Sequence, residues 1–287
     1  MPGLNGYFLY LVKDRIMITF ESTKISPTTY RIVAPGMELM YLVVGETKAA
    51  LIDTGSGLGF LRSYVEGLTD KPIVVLLTHG HVDHAMGAGE FDEVYMNLED
   101  EYIYKLHSDM KFREDGLFLS RQVPEREEII PAMPISKMKN MTEGDSFDLG
   151  GIHIDIYALP GHTRGSLVML IREERALLLG DACNCLTFLH EPYSLPVSEY
   201  KRSLERLKPL VEGKYDKIYL SHGPGSCPIS VIDGVIAVCD DIMNGNTDDV
   251  PFGFKDSKGL LAKAEIERDV RVDGGIGNVI YNKDRIF

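Results

Sequence analysis

Thr78-His79-Gly80-His81-Val82-Asp83-His84 places three histidines and an aspartate within six positions, in a chain of 287 residues that has only eight histidines. Such clustering calls for a chemical reason. The stretch follows Ile73-Val74-Val75-Leu76-Leu77, an unbroken apolar run after Pro72 that reads as a strand buried on both faces. Alternate residues of an extended chain project the same way, so His79 and His81 can reach one metal while the following turn aims Asp83 and His84 at a neighbouring point. Imidazole and carboxylate ligands suit zinc, and also iron or manganese. Gly80 leaves room for close packing between the two ligands.

Three further stretches share this grammar of a strand followed by a loop that opens with a ligand-type residue. Ile154–Leu159 leads into Pro160-Gly161-His162-Thr163, Leu177–Leu179 into Gly180-Asp181, and Ile218–Leu220 into Ser221-His222-Gly223. A solitary histidine such as His222 is ordinarily structural, but beside the first cluster it becomes a ligand candidate.

The rest of the chain frames these motifs. Tyr7–Val12, Ile16–Phe20, Thr29–Val33, Met40–Val44 and Ala49–Ile52 read as an antiparallel meander punctuated by Pro27, Pro35-Gly36 and Gly45. Leu58, Leu61, Val65 and Leu68 then recur at helical spacing, and strand, helix and buried strand form a βαβ-like unit. Asn97 to Gln122 reads as a helical insert, followed by a proline-broken loop from Pro124 to Pro134. Strands are expected at Ile152–Leu159, Leu167–Ile171, Ala176–Leu179 and Ile218–Leu220, and helices along Tyr200–Val211 and from about Ser230 to Met243. Beyond Asn244 the chain is rich in Asp, Gly and Asn until a last apolar stretch at Val279–Phe287. Residues 1–245 are therefore taken as one catalytic domain with its insert at about 97–122, and residues 246–287 as a tail packing on that domain or on a second copy; a homodimer is expected.

Thirty Lys and Arg against 43 Asp and Glu give a formal charge of −13, which argues against a general binder of polyanions, and no nucleic-acid partner is expected. A composition of 44% hydrophobic and 25% charged residues is that of a globular protein with a large core. Tyr7–Val12 is too short for a signal sequence and no run suits a bilayer, so no membrane association and a cytoplasmic location are expected. Cys183, Cys185, Cys227 and Cys239 contain no CxxC pair and are too few for a disulfide scaffold.

Taken in order, Asp53-Thr54-Gly55, HGHVDH, PGHT, GDA and SHG make residues 40–225 resemble the metallo-β-lactamase superfamily. The resemblance implies an α/β (α+β) fold, a four-layer αββα sandwich of two mixed sheets with outer helices. It implies one metal held by His79, His81 and His162, a second by Asp83, His84 and His222, and Asp181 bridging, with Asp53 a buried carboxylate that orients the ligand loop. Two divalent ions would follow, zinc first and iron or manganese next. They would share a bridging hydroxide as nucleophile and polarise the scissile bond of a small ester, thioester or lactone. Asp83 is also the candidate proton relay, and Tyr193 and His190, in the segment after Asp181, are candidate donors to an oxyanion.

Other members of the superfamily supply the competing readings. A phosphodiesterase or nuclease is opposed by the acidic balance and by the lack of a β-CASP-sized insertion or long basic arm. Persulfide dioxygenases use a single iron on positions matching His79, His162 and Asp181, whereas here the second set is complete. Flavodiiron oxygen reductases resemble one another in carrying Glu where this chain has His81. After PGHT the chain continues Arg164-Gly165-Ser166, unlike hydroxyacylglutathione hydrolases. The insert offers Tyr102, Tyr104 and Phe112 as a cap over the site, while His107 and His153 lack a motif and are expected to be structural or exposed.

Overall fold

A computed structural model of the chain describes residues 11–12, 15–16, 19–119, 129–254 and 257–287. The start of the expected Tyr7–Val12 strand, part of Ile16–Phe20, the end of the insert at Gln122 and Pro124 lie outside the described residues.

A hairpin of β1 (Leu11–Val12) and β2 (Arg15–Ile16) precedes a seven-stranded sheet whose spatial order follows the sequence: β3 (Glu21–Lys24), β4 (Thr29–Val33), β5 (Leu39–Val44), β6 (Ala49–Ile52), β7 (Ile73–Leu76), β8 (Val94–Met96) and β9 (Lys139–Asn140). Its first four strands are antiparallel, and β6 through β9 run parallel. The parallel step from β6 to β7 needs a crossover, which α1 (Leu61–Glu66) supplies. A second sheet joins β10 (Ser146–Asp148), β11 (His153–Ala158), β12 (Leu167–Ile171) and β13 (Ala176–Leu178) as an antiparallel run. Beyond β14 (Thr187–Phe188), which lies outside it, β15 (Lys217–Tyr219) adds to β13 in parallel.

Why the sheets stack is legible in the period-two alternation of their strands. On β5, Leu39, Tyr41 and Val43 face a core shared with Ile154, Ile156, Leu167, Met169 and Ile171 of the second sheet. Their neighbours Met40 and Leu42 turn outward to pack with Leu61 and Val65 of α1. On the second sheet Val168, Leu170 and Leu177 turn outward instead. They meet α5 (Val197–Val211) and α6 (Val231–Asn244), whose buried stripes include Tyr200, Leu204 and Leu207 on one helix and Val235 and Val238 on the other. Helix, sheet, sheet, helix is the αββα order. Each such buried aliphatic side chain contributes roughly 1.5–3 kcal/mol, which is why these strands read as continuous apolar runs.

Two expectations change. The strand preceding β4 is Glu21–Lys24, an edge strand with mostly exposed side chains and so no hydrophobic signal. The chain after Asn244, read from sequence as rich in Asp, Gly and Asn with no strand singled out before the apolar stretch at Val279–Phe287, forms β16 (Val250–Phe254), β17 (Ser257–Leu261), β18 (Glu265–Glu267), β19 (Val270–Arg271) and β20 (Val279–Tyr281). These build a sheet ordered β14-β20-β17-β16 and a separate β18-β19 hairpin. Val279, Ile280 and Tyr281 are fully buried within the chain itself, so their apolar character is accounted for without a second copy. No helix among the described residues is long and apolar enough to cross a membrane.

The C-terminal sheet is pinned by Asp249, which accepts from Lys283 Nζ at 2.6 Å, from the Tyr281 hydroxyl and from Thr247 Oγ1 at 2.7 Å. Lys283 first and Tyr281 second hold this carboxyl down at about 2. A depressed carboxylate stabilises the fold above the unfolded value, about 3.9, and that contribution disappears as pH falls toward 2. Asp249→Asn should therefore lower the urea midpoint at pH 7 and flatten its decline between about pH 4 and pH 2. Parallel midpoint curves for the two proteins would refute the assignment.

Candidate metal centre

Every motif singled out in the sequence leaves a strand at the same end of the sandwich. The β7 strand runs into Thr78–His84, with His81 extended (φ −71°, ψ 158°) immediately before the single turn α2 (Val82–Ala85). The β11, β13 and β15 strands share one direction and deliver His162, Asp181 and His222. The β6 strand ends at Asp53, whose φ of +62° is the left-handed region that a side chain adopts only when its surroundings hold it there.

His79 Nε2 and His162 Nε2 each lie 3.0 Å from His81 Nδ1. On the other side His222 Nε2 stands 3.3 Å from His84 Nε2 and 3.4 Å from Asp83 Oδ2, and His84 Nε2 is 3.5 Å from the same Asp83 oxygen. Between the two sets sits Asp181 Oδ2, 3.2 Å from His222 Nε2, 3.5 Å from His84 Nε2 and 3.9 Å from His162 Nε2. Ligand atoms around a tetrahedral ion with bonds of about 2.0–2.1 Å are about 3.3 Å apart, so both sets have the spacing a small divalent ion requires. Asp181 Oδ1 and His81 Nε2 are buried without a hydrogen-bond partner, as expected of groups arranged for something other than one another.

The imidazoles are oriented from behind. His84 Nδ1–H donates to Asp53 Oδ2 at 2.8 Å and His162 Nδ1–H to the Phe188 carbonyl at 2.8 Å, which frees both Nε2 atoms for the centre. Asp53 also accepts from the Thr78 amide at 2.8 Å and from its hydroxyl, and that hydroxyl lies 3.0 Å from His79 Nδ1.

Charge is divided across the site. Burial, and then the neighbouring imidazoles, hold His79 and His81 well below the ordinary histidine range. Burial also disfavours charge on His84 and His222. The carboxylates of Asp83, Asp181 and Asp53 outweigh it at His84, and Asp181 and Asp83 carry His222 up to about 10. Reciprocally, His84 and His222 overcome the burial of Asp83 and Asp181 and keep both carboxyls ionised. Neutral imidazoles on one side and anionic oxygens in the middle are the states in which these groups bind cations.

The site opens where Asp83 and His222 lie, with side chains 37% and 33% exposed, while His79 and His84 are closed in. Tyr193 packs its ring edge to face against His81, centroids 5.3 Å apart. Burial first, then Glu191 and Asp83, raise its phenol far above the ordinary value, so it keeps its proton. His190 is placed differently. It is buried against Phe188 and Phe252, neither ring nitrogen has a hydrogen-bond partner, Nε2 lies 3.5 Å from Glu191 Oε1, and burial lowers its pKa.

Two site neighbours carried no motif. His107 is buried and stacks on His81 (centroids 4.9 Å, 26°), and its Nδ1 accepts from the Val82 amide at 3.1 Å. Asp100 is buried against the ligand loops. Both belong to the insert, which includes α3 (Glu101–His107) and α4 (Met110–Leu119). Asp100 follows a strand, β8, as the other site carboxylates do, and recognising Val94–Met96 as a strand would have exposed the signal.

Residues 33–222 match the family profile described as the Metallo-beta-lactamase superfamily. The chain belongs to this superfamily. Among curated relatives, the chicken (Gallus gallus) protein named acyl-coenzyme A thioesterase MBLAC2 is 28% identical over 207 residues, 64% of this chain and 71% of that one. An uncharacterised protein of Mycobacterium tuberculosis is 33% identical over 136 residues, 44% of this chain, and the match spans only 55% of that relative. In fold, a metallo-beta-lactamase family protein from Thermus thermophilus superposes with a TM-score of 0.55 over 79% of this chain and 85% of its own, at 22% identity. Members of the superfamily are typically metallo-hydrolases, and the histidine and aspartate groups here suit divalent ions.

Proposed function

We propose that this chain is a dinuclear metallo-hydrolase, with zinc the first candidate, that cleaves a small acyl ester or thioester, the thioester being favoured. The observation that carries the reading is the position of Asp181 Oδ2 between two complete donor sets. The name of the chicken relative supports the thioester. His79, His81 and His162 would hold one ion, Asp83, His84 and His222 the other, and Asp181 would touch both. Ions bound there supply an activated water at neutral pH and a Lewis acid for the acyl oxygen.

The chain's own residues do the remaining work. Asp53 and the Phe188 carbonyl fix the tautomers of His84 and His162. Asp83, ionised and on the open side, would accept the proton released by the attacking water and pass it to the departing thiolate or alkoxide. Tyr193 retains its phenolic proton and would donate it as a hydrogen bond to the oxygen on which charge develops. His190, closed off among aromatic rings, is left out of this scheme.

Elemental analysis of protein purified without added metal, alongside turnover of an ester, thioester, lactone and phosphodiester panel, tests the reading. About two zinc, or manganese, per chain are expected, with acyl thioesters turned over faster than phosphodiesters. Chelation should depress turnover at least about a hundredfold, and added zinc should restore it. About one iron per chain with no hydrolysis of any panel member would overturn the proposal in favour of a mononuclear oxygenase.

A further inference from the structure

Three ligands of the first donor set come from two loops that belong to different sheets. His79 and His81 flank Gly80 after β7, and His162 precedes Thr163 after β11. Their nitrogens nevertheless meet at 3.0 Å, which requires something to hold the loops at a fixed separation. Asp100, 1% exposed, lies between them. Its Oδ2 accepts from the Gly80 amide at 2.9 Å and from Thr163 Oγ1 at 2.7 Å, and its Oδ1 accepts from the Gly165 amide at 2.6 Å.

The loops are shaped around this carboxylate. A Cβ on Gly165 would stand 2.7 Å from Asp100 Cγ, and one on Gly80 would stand 3.1 Å from Asp100 Cβ. Neither glycine is in the left-handed region, so close approach to Asp100, not an unusual backbone angle, accounts for glycine at 165, while Asp100 and Ile103 together crowd position 80. Ser166 Oγ meets Thr163 Oγ1 at 2.7 Å and so keeps the threonine hydroxyl turned toward the clasp. Asp100 itself is held at the head of α3, where its amide donates to the Asn97 carbonyl at 3.1 Å.

We propose that Asp100 is a positioning residue that sets the spacing of the Gly80 and Gly165 loops and thereby the metal affinity of the His79–His81–His162 set, without touching the ion. The proposal rests on the metal-centre reading above. It also gives the insert a task other than capping the opening: Asp100 and His107 brace the ligand loop from below.

The test is zinc titration of the metal-free full chain against a chromophoric chelator, repeated with cobalt(II), whose visible absorption reports ligand geometry. Asp100→Asn keeps the shape, but whichever way the new amide lies its NH2 faces the Gly80 or the Gly165 N–H, replacing an acceptor with a donor. One of the two zinc equivalents should weaken about ten- to a hundredfold, with an altered cobalt spectrum, while the other stays within about threefold. If that variant fails to fold, Thr163→Val removes a single donor and should weaken the same equivalent about fivefold. Unchanged affinities would overturn the proposal, as would equal weakening of both equivalents in step with a fall in melting temperature, which is the mark of a merely structural residue. A parent chain that took up no zinc would overturn the metal-centre reading, and the proposal with it, before any variant was compared.

Discussion

Asp181→Asn is expected to lower kcat/KM on the best panel substrate by on the order of a thousandfold, about 4 kcal/mol of transition-state stabilisation, while leaving the fold intact. The substitution is nearly isosteric, and the side chain sits in a loop beyond β13, outside the packed cores. What changes is electrostatic. Asp181 Oδ2 lies within 3.2–3.9 Å of His222, His84 and His162, and those imidazoles were positioned around an anion. On the dinuclear reading, an amide would remove the charge that offsets two dications and would offer a weaker donor to each. Metal analysis and kcat/KM on the same preparation decide the matter. A loss below tenfold, with metal content unchanged, would show that Asp181 does not join the two sets.

The parts of this arrangement that could be read from the sequence share a physical property: the information is local. Thr29–Val33, Ala49–Ile52 and Leu167–Ile171 coincide with observed strands because such segments are buried on one or both faces, and burial writes itself into consecutive residues. The ligand motifs stand out because each follows such a run and is spaced by glycine. By contrast, β3, β9 and β10 are edge or near-edge strands with exposed or half-exposed side chains, and β14 has two residues. Pairing alone makes them strands, and pairing is a tertiary event. The same applies to the site. Asp100 acts on Gly165 from 65 positions away, and His107 reaches Val82 from 25. His107 carries no local pattern that separates it from an ordinary polar residue of a helical insert, and the one pointer to Asp100, its place after β8, rests on a three-residue strand too short to stand out. His190 illustrates the converse: a histidine near Asp181 in sequence is turned into an aromatic pocket by the strand pairing of β14 with β20.

That pairing makes the C-terminal segment part of the site's foundation, and removal of residues 246–287 is expected to abolish cooperative folding. Val279, Ile280 and Tyr281 are fully buried, and burying three such side chains is worth roughly 5–9 kcal/mol, comparable to the entire stability of an ordinary domain. The backbone connections are as direct. Thr187 N–H donates to the Asn278 carbonyl at 2.9 Å and Leu189 N–H to the Ile280 carbonyl at 2.7 Å, so β20 fixes the strand whose Phe188 carbonyl orients His162. Arg285 donates to the Ser194 carbonyl, and Ser194 Oγ to that of His162 at 2.8 Å, a second route from the tail to the same ligand. A milder probe separates folding from function: Ile280→Ala should cost about 2–5 kcal/mol in urea unfolding. It should also weaken zinc binding by loosening Phe188, even at temperatures where the variant remains folded. Should the truncated chain unfold cooperatively and take up its full metal, the tail would be an appendage, and His162 would owe its orientation to the sandwich alone.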